Sequence, residues 1–234
     1  MDKLQKYKPT DKMIDLIGDN YSLLQVMSRF GLSLGFGDKT VKEVCEMNNV
    51  DCQTFLVVVN FMAEGFSRMD GSADDISIPA LVDYLRQAHI YFLDYCLPAI
   101  RRKLIEAIDC SQDDVSFLIL KFFDGYMREE RKHMEYEEKT VFKYVDTLIH
   151  GNAPKNYQIS TFSKHHDQVG ERLTELKNII IKYCPAKANT NVLNAALFDI
   201  YACEEGLESH CKVEDYLFVP AILKLERRMR ENEK

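Results

Sequence analysis

The feature of this sequence that most constrains its fold is a repeated spacing of histidine and glutamate residues. Each copy of the repeat has one histidine, a second histidine 44 positions later, and a glutamate four residues after the second histidine. A spacing of four places two side chains on one face of an α-helix, about one turn apart. The chain is therefore predicted to contain two copies of one helical hairpin. In chain order, the residues of the repeat are His89, His133, Glu137, His166, His210 and Glu214.

Four long helices are predicted to carry the repeat. Pro98 falls inside the first of them and is expected to bend it. The turn signals between the helices are few and the connections are short, which predicts an all-α, up-down-up-down four-helix bundle. The predicted helices cover approximately residues 79–108, 111–150, 157–183 and 192–230.

A small helical domain is predicted to precede the bundle. Thr40 and Glu43 have the spacing of a capping box and begin a short helix, and Asp51 is the expected N-cap of the apolar helix that follows. The polar, acidic sequence before Pro79 favours a linker. The predicted division is an N-terminal domain at 1–70, a linker at 71–78 and the bundle at 79–234.

Composition and charge exclude several classes of function. The net charge is −7, whereas a general nucleic-acid binder needs a basic surface. No apolar run follows the charged N-terminus and no stretch of about 18 apolar residues occurs, so neither a signal peptide nor membrane association is expected. The seven cysteines show no CxxC spacing, which favours reduced thiols and a cytoplasmic location.

All four histidines of the repeat are predicted to point into the core of the bundle. His165 shares its helix face with Arg172 and Gln158, whereas the repeated interval selects its neighbour His166. Six ionisable groups in one buried layer would be costly without a metal ion to pair them. The sequence therefore predicts a metal centre and not four separate core histidines. The apolar face around His89 carries Val82, Leu85, Phe92, Cys96 and Ile100.

Four other side chains lie close to the repeat along the predicted helices, and their roles stay open. Glu138 and Asp215 directly follow the repeat glutamates, and are either partners of imidazole N–H groups or part of a solvated helix face. Glu130 lies one turn before His133 and is a candidate to reach the site. Tyr126, two turns before His133, either lines the pocket or packs in the core.

The donor set of four imidazoles and two carboxylates narrows the choice of metal. It is too large for one tetrahedral zinc ion, and calcium prefers oxygen ligands only. Carboxylates that bridge two ions inside a helical bundle are typical of di-iron and di-manganese sites. We expect two non-haem iron ions, each held by two histidines, with Glu137 and Glu214 bridging. An oxo or hydroxo bridge would fill one position, and an open position would take dioxygen or nitric oxide.

The repeat resembles the signature of the hemerythrin-like (HHE) cation-binding family. Segments 133–138 and 210–215, each followed by a phenylalanine, are similar to its repeated motif, and His166 with Asp167 resembles its third-helix ligand. The resemblance covers about 79–230. Oxygen-carrying members use five histidines and two carboxylates, so the four histidines here look more like the branch that repairs iron–sulfur clusters.

The N-terminal sequence is similar to the small helical domain that precedes the bundle in that branch. The similar segments are 30–32 and 37–45. The branch usually has a Cys-Cys pair just before the glycine, whereas segment 33–36 of this chain is Ser-Leu-Gly-Phe. Cys45 and Cys52 remain, and we expect them to be structural.

The resemblance implies a stress-response protein that helps to restore iron–sulfur clusters damaged by nitric oxide or oxidants, with iron–sulfur proteins as its clients. The alternative is a sensor of dioxygen or nitric oxide whose N-terminal domain binds a partner. A third interpretation is a purely structural metal layer. No nucleophile or acid–base pair stands apart from the ligands, so the sequence does not decide whether the protein is an enzyme. It also leaves the oligomeric state open, and a homodimer is one assembly it allows.

Overall fold

The regular structure of the chain is helical. Over the ranges given below, the chain forms helices and one isolated β-bridge, between Lys12 and Thr40, and has no β-strand. The prediction of an all-α protein is confirmed. The computed structural model describes residues 6–64, 76–108, 114–152, 154, 157–164, 169–185 and 188–232.

Four short helices form the first part of the chain. The predicted capping box begins the third of them: Thr40 N donates to Glu43 Oε2 at 2.8 Å, and Glu43 N donates to Thr40 Oγ1 at 3.3 Å. The fourth helix is capped by Asp51 as predicted, because Thr54 N donates to Asp51 Oδ1 at 2.7 Å. These helices are α1 (Met13–Asp19), α2 (Leu23–Arg29), α3 (Val41–Met47) and α4 (Cys52–Glu64).

Longer helical runs follow, and three of them contain a π-helical segment. In the first run α5 (Ile78–Ile90) leads through π-helical Tyr91–Cys96 into α6 (Leu97–Ala107). In the second, α7 (Asp114–Tyr136) leads through Glu137–Val141 into α8 (Phe142–Ile149). The third is α9 (Val169–Tyr183). In the fourth, α10 (Thr190–Val213) leads through Glu214–Phe218 into α11 (Val219–Asn232).

The first run continues through Pro98, as predicted, and Pro98 is the second residue of α6, one residue after the π-helical segment. The bend expected at Pro98 stays a prediction. One detail differs from the predicted helices. The third run begins at Val169 and not near Tyr157, because Ile159–Lys164 forms a 3-10 helix. A 3-10 helix of this kind is common in short connecting segments.

By its packing the chain divides into two compact units, Met1–Ala88 with Lys212–Lys234, and His89–Cys211. Both divisions fall between consecutive residues of one helix, in α5 and in α10. The predicted linker at 71–78 lies mostly outside the described residues, so the predicted domain boundaries stay a prediction.

The unit His89–Cys211 contains four helical segments in series. α6 packs against α7, and α7 packs against α9. These contacts are those of neighbouring helices in the predicted all-α bundle. The core residues of this unit that are fully buried include Phe92, Ile100, Ile119, Phe123, Phe142, Leu176 and Ile200.

The unit Met1–Ala88 with Lys212–Lys234 has a core of its own. In this core the rings of Phe30 and Tyr84 lie 4.8 Å apart, and Arg29 Nη1 donates to Tyr84 Oη at 3.3 Å. The Phe61 ring lies 6.1 Å from that of Tyr216. Tyr216 lies in the π-helical segment before α11, and this segment and α11 both belong to the same compact unit as the N-terminal helices.

Within the part of the chain that the structure describes, no helix has the length and apolar character needed to cross a bilayer. The cysteines of this part are free, as the sequence predicted, and Cys110 lies outside it. The free cysteines are Cys45, Cys52, Cys96, Cys184, Cys203 and Cys211.

Candidate metal centre

Each glutamate of the repeat begins a π-helical segment. Glu137 opens the segment Glu137–Val141, and Glu214 opens the segment Glu214–Phe218, which has the same length of five residues. In both cases the histidine of the motif occupies the last turn of the preceding α-helix. π-helical turns are rare and are found mostly at functional sites. Their identical placement marks the two His-x-x-x-Glu motifs as one local structure used twice.

The two hairpins also share one pattern of burial. Residues of α7 and of the π-helical turn after it are buried along one stripe, and so are their counterparts 77 positions later in α10 and its π-helical turn. The duplication inferred from the spacing therefore extends to the packing of both helices. The buried pairs are Ile119 with Ala196, Phe123 with Ile200, Tyr126 with Cys203, Glu130 with Leu207, and Glu137 with Glu214.

The carboxylate of Glu137 lies between two imidazoles that come from different helices. His89 Nε2 is 2.9 Å from Glu137 Oε2, and His133 Nε2 is 2.9 Å from Glu137 Oε1. The Glu137 side chain has no exposed surface, and that of His133 is 23% exposed. A carboxylate whose two oxygens face separate imidazoles has the geometry to bridge two metal ions.

The far side of the His89 ring contacts a second carboxylate. His89 Nδ1 lies 2.9 Å from Glu138 Oε1. Of the two roles left open for Glu138, the structure supports the partner of an imidazole and not a purely solvated residue. A carboxylate at this position fixes the orientation of the ring and raises the basicity of the nitrogen that faces Glu137. The counterpart Asp215 is half-buried.

The two residues of the second His-x-x-x-Glu motif, His210 and Glu214, lie close to His89 and Glu137. The ring of His210 lies 5.1 Å from that of His89, edge to face, and 6.0 Å from the ring of Phe92. Glu214 follows His210 by one turn of a continuous helix and is completely buried. One potential ligand atom from each of four residues lies within 4.8 Å of the others. These residues are His89, Glu137, His210 and Glu214.

Two predicted ligands are not in the four-residue group: His133, which the structure describes, and His166, which it does not. His133 lies outside the four-residue group but contacts the second oxygen of Glu137. His166 lies outside the described residues, as does His165, so the choice between them stays a prediction. Leu85 and Phe162, which are 77 positions apart and lie near the first histidine of each copy, are both buried. The six-residue ligand set as a whole remains a prediction.

The chemistry of this group fits a bound cation. Buried carboxylates so close together repel each other, and burial without compensating positive charge is costly. Imidazole and carboxylate are the donors of zinc, iron and manganese sites. The four-residue group would satisfy one tetrahedral ion, and His133 on the other side of Glu137 supplies a donor for a second ion.

Sequence reasoning missed two features of this site. The π-helical segments leave no mark in hydrophobic periodicity, although their starting residues coincide with the repeat. The role of Glu138 was one of two open alternatives, and its only signal was the acidic residue that follows both repeat glutamates, Glu138 and Asp215.

The fold and the buried His/Glu group define a metal-binding helical bundle. Residues 80–222 match the family described as the Hemerythrin HHE cation binding domain. The match spans more than half of the chain and includes every residue of the repeat, so the chain belongs to this family. No curated protein matches the chain.

Proposed function

We propose that this protein holds two non-haem iron ions and takes part in the repair of iron–sulfur clusters damaged by nitrosative or oxidative stress. The observation that carries the proposal is the buried group of two imidazoles and two carboxylates in a hemerythrin HHE bundle. The proposed ligands are His89, His133, Glu137, His166, His210 and Glu214, with an oxo or hydroxo bridge between the ions.

The placement of Glu137 supports two ions over one. Its two oxygens face His89 and His133 separately, so a single ion would leave one of these contacts unused. Iron is the proposed metal because a carboxylate-bridged pair in a helical bundle is its usual setting. Iron would supply redox chemistry and affinity for dioxygen or nitric oxide, while the buried residues exclude bulk water.

The assignment to cluster repair rests on resemblance. The four-histidine set and the segments 30–32 and 37–45 are similar to the repair branch of the family. Iron–sulfur proteins of the cytoplasm would then be the clients, and iron would be the cargo passed to them. A homodimer is a compatible assembly for the proposed protein.

Metal analysis and iron transfer test the proposal together. Protein produced with iron is expected to contain about two ions per chain, to show the absorption of an oxo-bridged pair, and to restore activity to an apo iron–sulfur enzyme. The double variant His133→Ala with His210→Ala should lose the metal and the transfer. His150→Ala is the matched control, because its side chain is 70% exposed and lies outside the repeat. Absence of iron in the purified wild-type protein contradicts the proposal.

A sensor of dioxygen or nitric oxide is the second candidate. It is favoured by segment 33–36, which has no cysteine where the repair branch usually has a pair. The N-terminal helices would then be a module that binds a partner protein. Reversible gas binding that changes affinity for that partner, without iron transfer to an apo cluster protein, would select the sensor.

A further inference from the structure

Glu130 is a buried carboxyl group that the six-residue ligand set does not use. It lies three residues before His133 and seven before Glu137 on α7, so the three side chains share one helix face. Glu130 is 4% exposed. Burial raises the pKa of Glu130 to about 7, which the charge of His133 opposes and that of Glu137 increases. By helix spacing the Glu130 carboxyl lies about one turn from His133 and two turns from Glu137.

Tyr126 lies one turn before Glu130 and forms a polar pair with it. The Tyr126 ring is 1% exposed, and burial, followed by the charge of Glu130, raises the pKa of its hydroxyl. The two groups interact, but neither Tyr126 Oη nor Glu130 Oε2 completes a hydrogen bond of normal geometry with any part of the chain that the structure describes. Buried polar atoms in this condition are unusual and call for an explanation.

The second hairpin shows that packing does not require this pair. The counterparts of Glu130 and Tyr126, 77 positions later, are Leu207 and Cys203, which are equally buried. The duplicated fold therefore accepts apolar and weakly polar side chains at both positions. The polar pair makes the two halves differ in the two turns of α7 that precede His133.

We propose that Glu130 and Tyr126 form a hydrogen-bonding wall for a small polar ligand on the His133 side of the metal centre. This inference rests on the proposed function, because it requires the metal to be bound. It makes the two metal positions unequal: a ligand such as azide is held at the position nearer His133.

Azide binding to the iron-loaded protein tests the inference, with the dissociation constant followed by visible absorption. Glu130→Leu copies the second hairpin and is expected to keep about two iron ions per chain but to weaken azide binding about tenfold, the effect of one lost hydrogen bond. Glu130→Gln keeps a donor and should stay within about threefold of the wild type. Tyr126→Phe should weaken binding as well. Leu207→Met is the matched control at the mirrored position and should leave the constant unchanged.

A second readout uses the protein without metal. Because the pair lacks good hydrogen bonds in the fold, Glu130→Leu should raise the melting temperature of the metal-free protein. A fall in melting temperature would show a structural role and overturn the inference. So would an unchanged azide constant in Glu130→Leu and Tyr126→Phe, or loss of iron from Glu130→Leu. A wild-type protein that binds no iron refutes the proposed function itself, which is a different result.

Discussion

The imidazole of His89 is held between two consecutive carboxylates, with Nδ1 2.9 Å from Glu138 and Nε2 2.9 Å from Glu137. One ring nitrogen thus faces the proposed metal, while the other is occupied by a residue that orients the ring. This division of roles is common among metal-binding histidines. It makes Glu138 a positioning residue whose loss should weaken the site without removing a ligand.

The Glu138→Gln variant is expected to lower metal affinity by about 10- to 100-fold, because the His89 ring loses its charged partner. Titration of the apo protein with ferrous iron against a competing chelator measures the change. Glu135→Gln is the control, since the Glu135 side chain is 47% exposed and pairs with Lys139 four residues later. Equal affinities for wild type and Glu138→Gln would mean that this contact does not position the ring.

Metal binding is expected to stabilise the fold by mass action. At free metal about 100-fold above the dissociation constant, one site adds about 2.7 kcal/mol to the free energy of unfolding. Glu214→Gln should lose most of this gain, because Glu214 is a completely buried member of the proposed ligand group. Thermal melts with metal and with chelator give the comparison. The exposed Glu205→Gln variant, on the same helix, should keep the full metal-dependent shift.

The ion pair between α6 and α7 should make stability depend on acid pH. Arg101 Nε donates to Asp124 Oδ1 at 2.6 Å and Arg101 Nη2 donates to Oδ2 at 3.1 Å, which lowers the pKa of Asp124 below 3.8. Because the folded pKa is the lower one, the stabilisation is complete above the unfolded pKa and is lost as pH falls through the folded pKa. The pair is partly exposed, so its contribution is at most about 1 kcal/mol.

Urea titrations of wild type and Asp124→Asn between pH 2 and pH 6 test this dependence. The difference in unfolding free energy between them should shrink as the pH falls below about 4. A difference that stays constant over this range would show that Asp124 acts through packing alone.

The buried side-chain amide of Asn60, on α4, makes two hydrogen bonds with the backbone of Tyr7. Tyr7 N donates to Asn60 Oδ1 at 2.8 Å, and Asn60 Nδ2 donates to Tyr7 O at 3.0 Å. Asn60→Ala leaves both backbone groups of Tyr7 without this partner and should cost about 1–3 kcal/mol in unfolding free energy. Urea denaturation measures the loss, and the exposed Gln53→Ala variant on the same helix should be close to neutral.

Much of the site followed from spacing alone. The intervals of 44 and four positions predicted that His89, His133 and Glu137 lie in one layer, and Glu137 contacts both histidines in the structure. Their role as metal ligands stays a prediction. Such spacing is informative because helical geometry converts it directly into a shared face. The capping box at Thr40 was predictable for the same reason, as it depends on one local interval.

The contact of Glu138 with His89 could not be derived in this way. In a regular α-helix consecutive residues point in different directions, so the sequence left two roles open for Glu138 and could not select the contact with His89. The π-helical turn that begins at Glu137 changes the register of the side chains after it. The turn depends on backbone hydrogen bonding that hydrophobic periodicity does not record.

Because the hairpin is duplicated along the chain, the predicted ligands of the first copy are synthesised before those of the second. A ribosome completes the first hairpin, with the predicted ligands His89, His133 and Glu137, 73 residues before it adds His210. The growing chain therefore carries two imidazoles and one carboxylate of the site before any ligand of the second motif exists. Iron present during translation would meet this half-site first, and the second hairpin would then close over an ion already held.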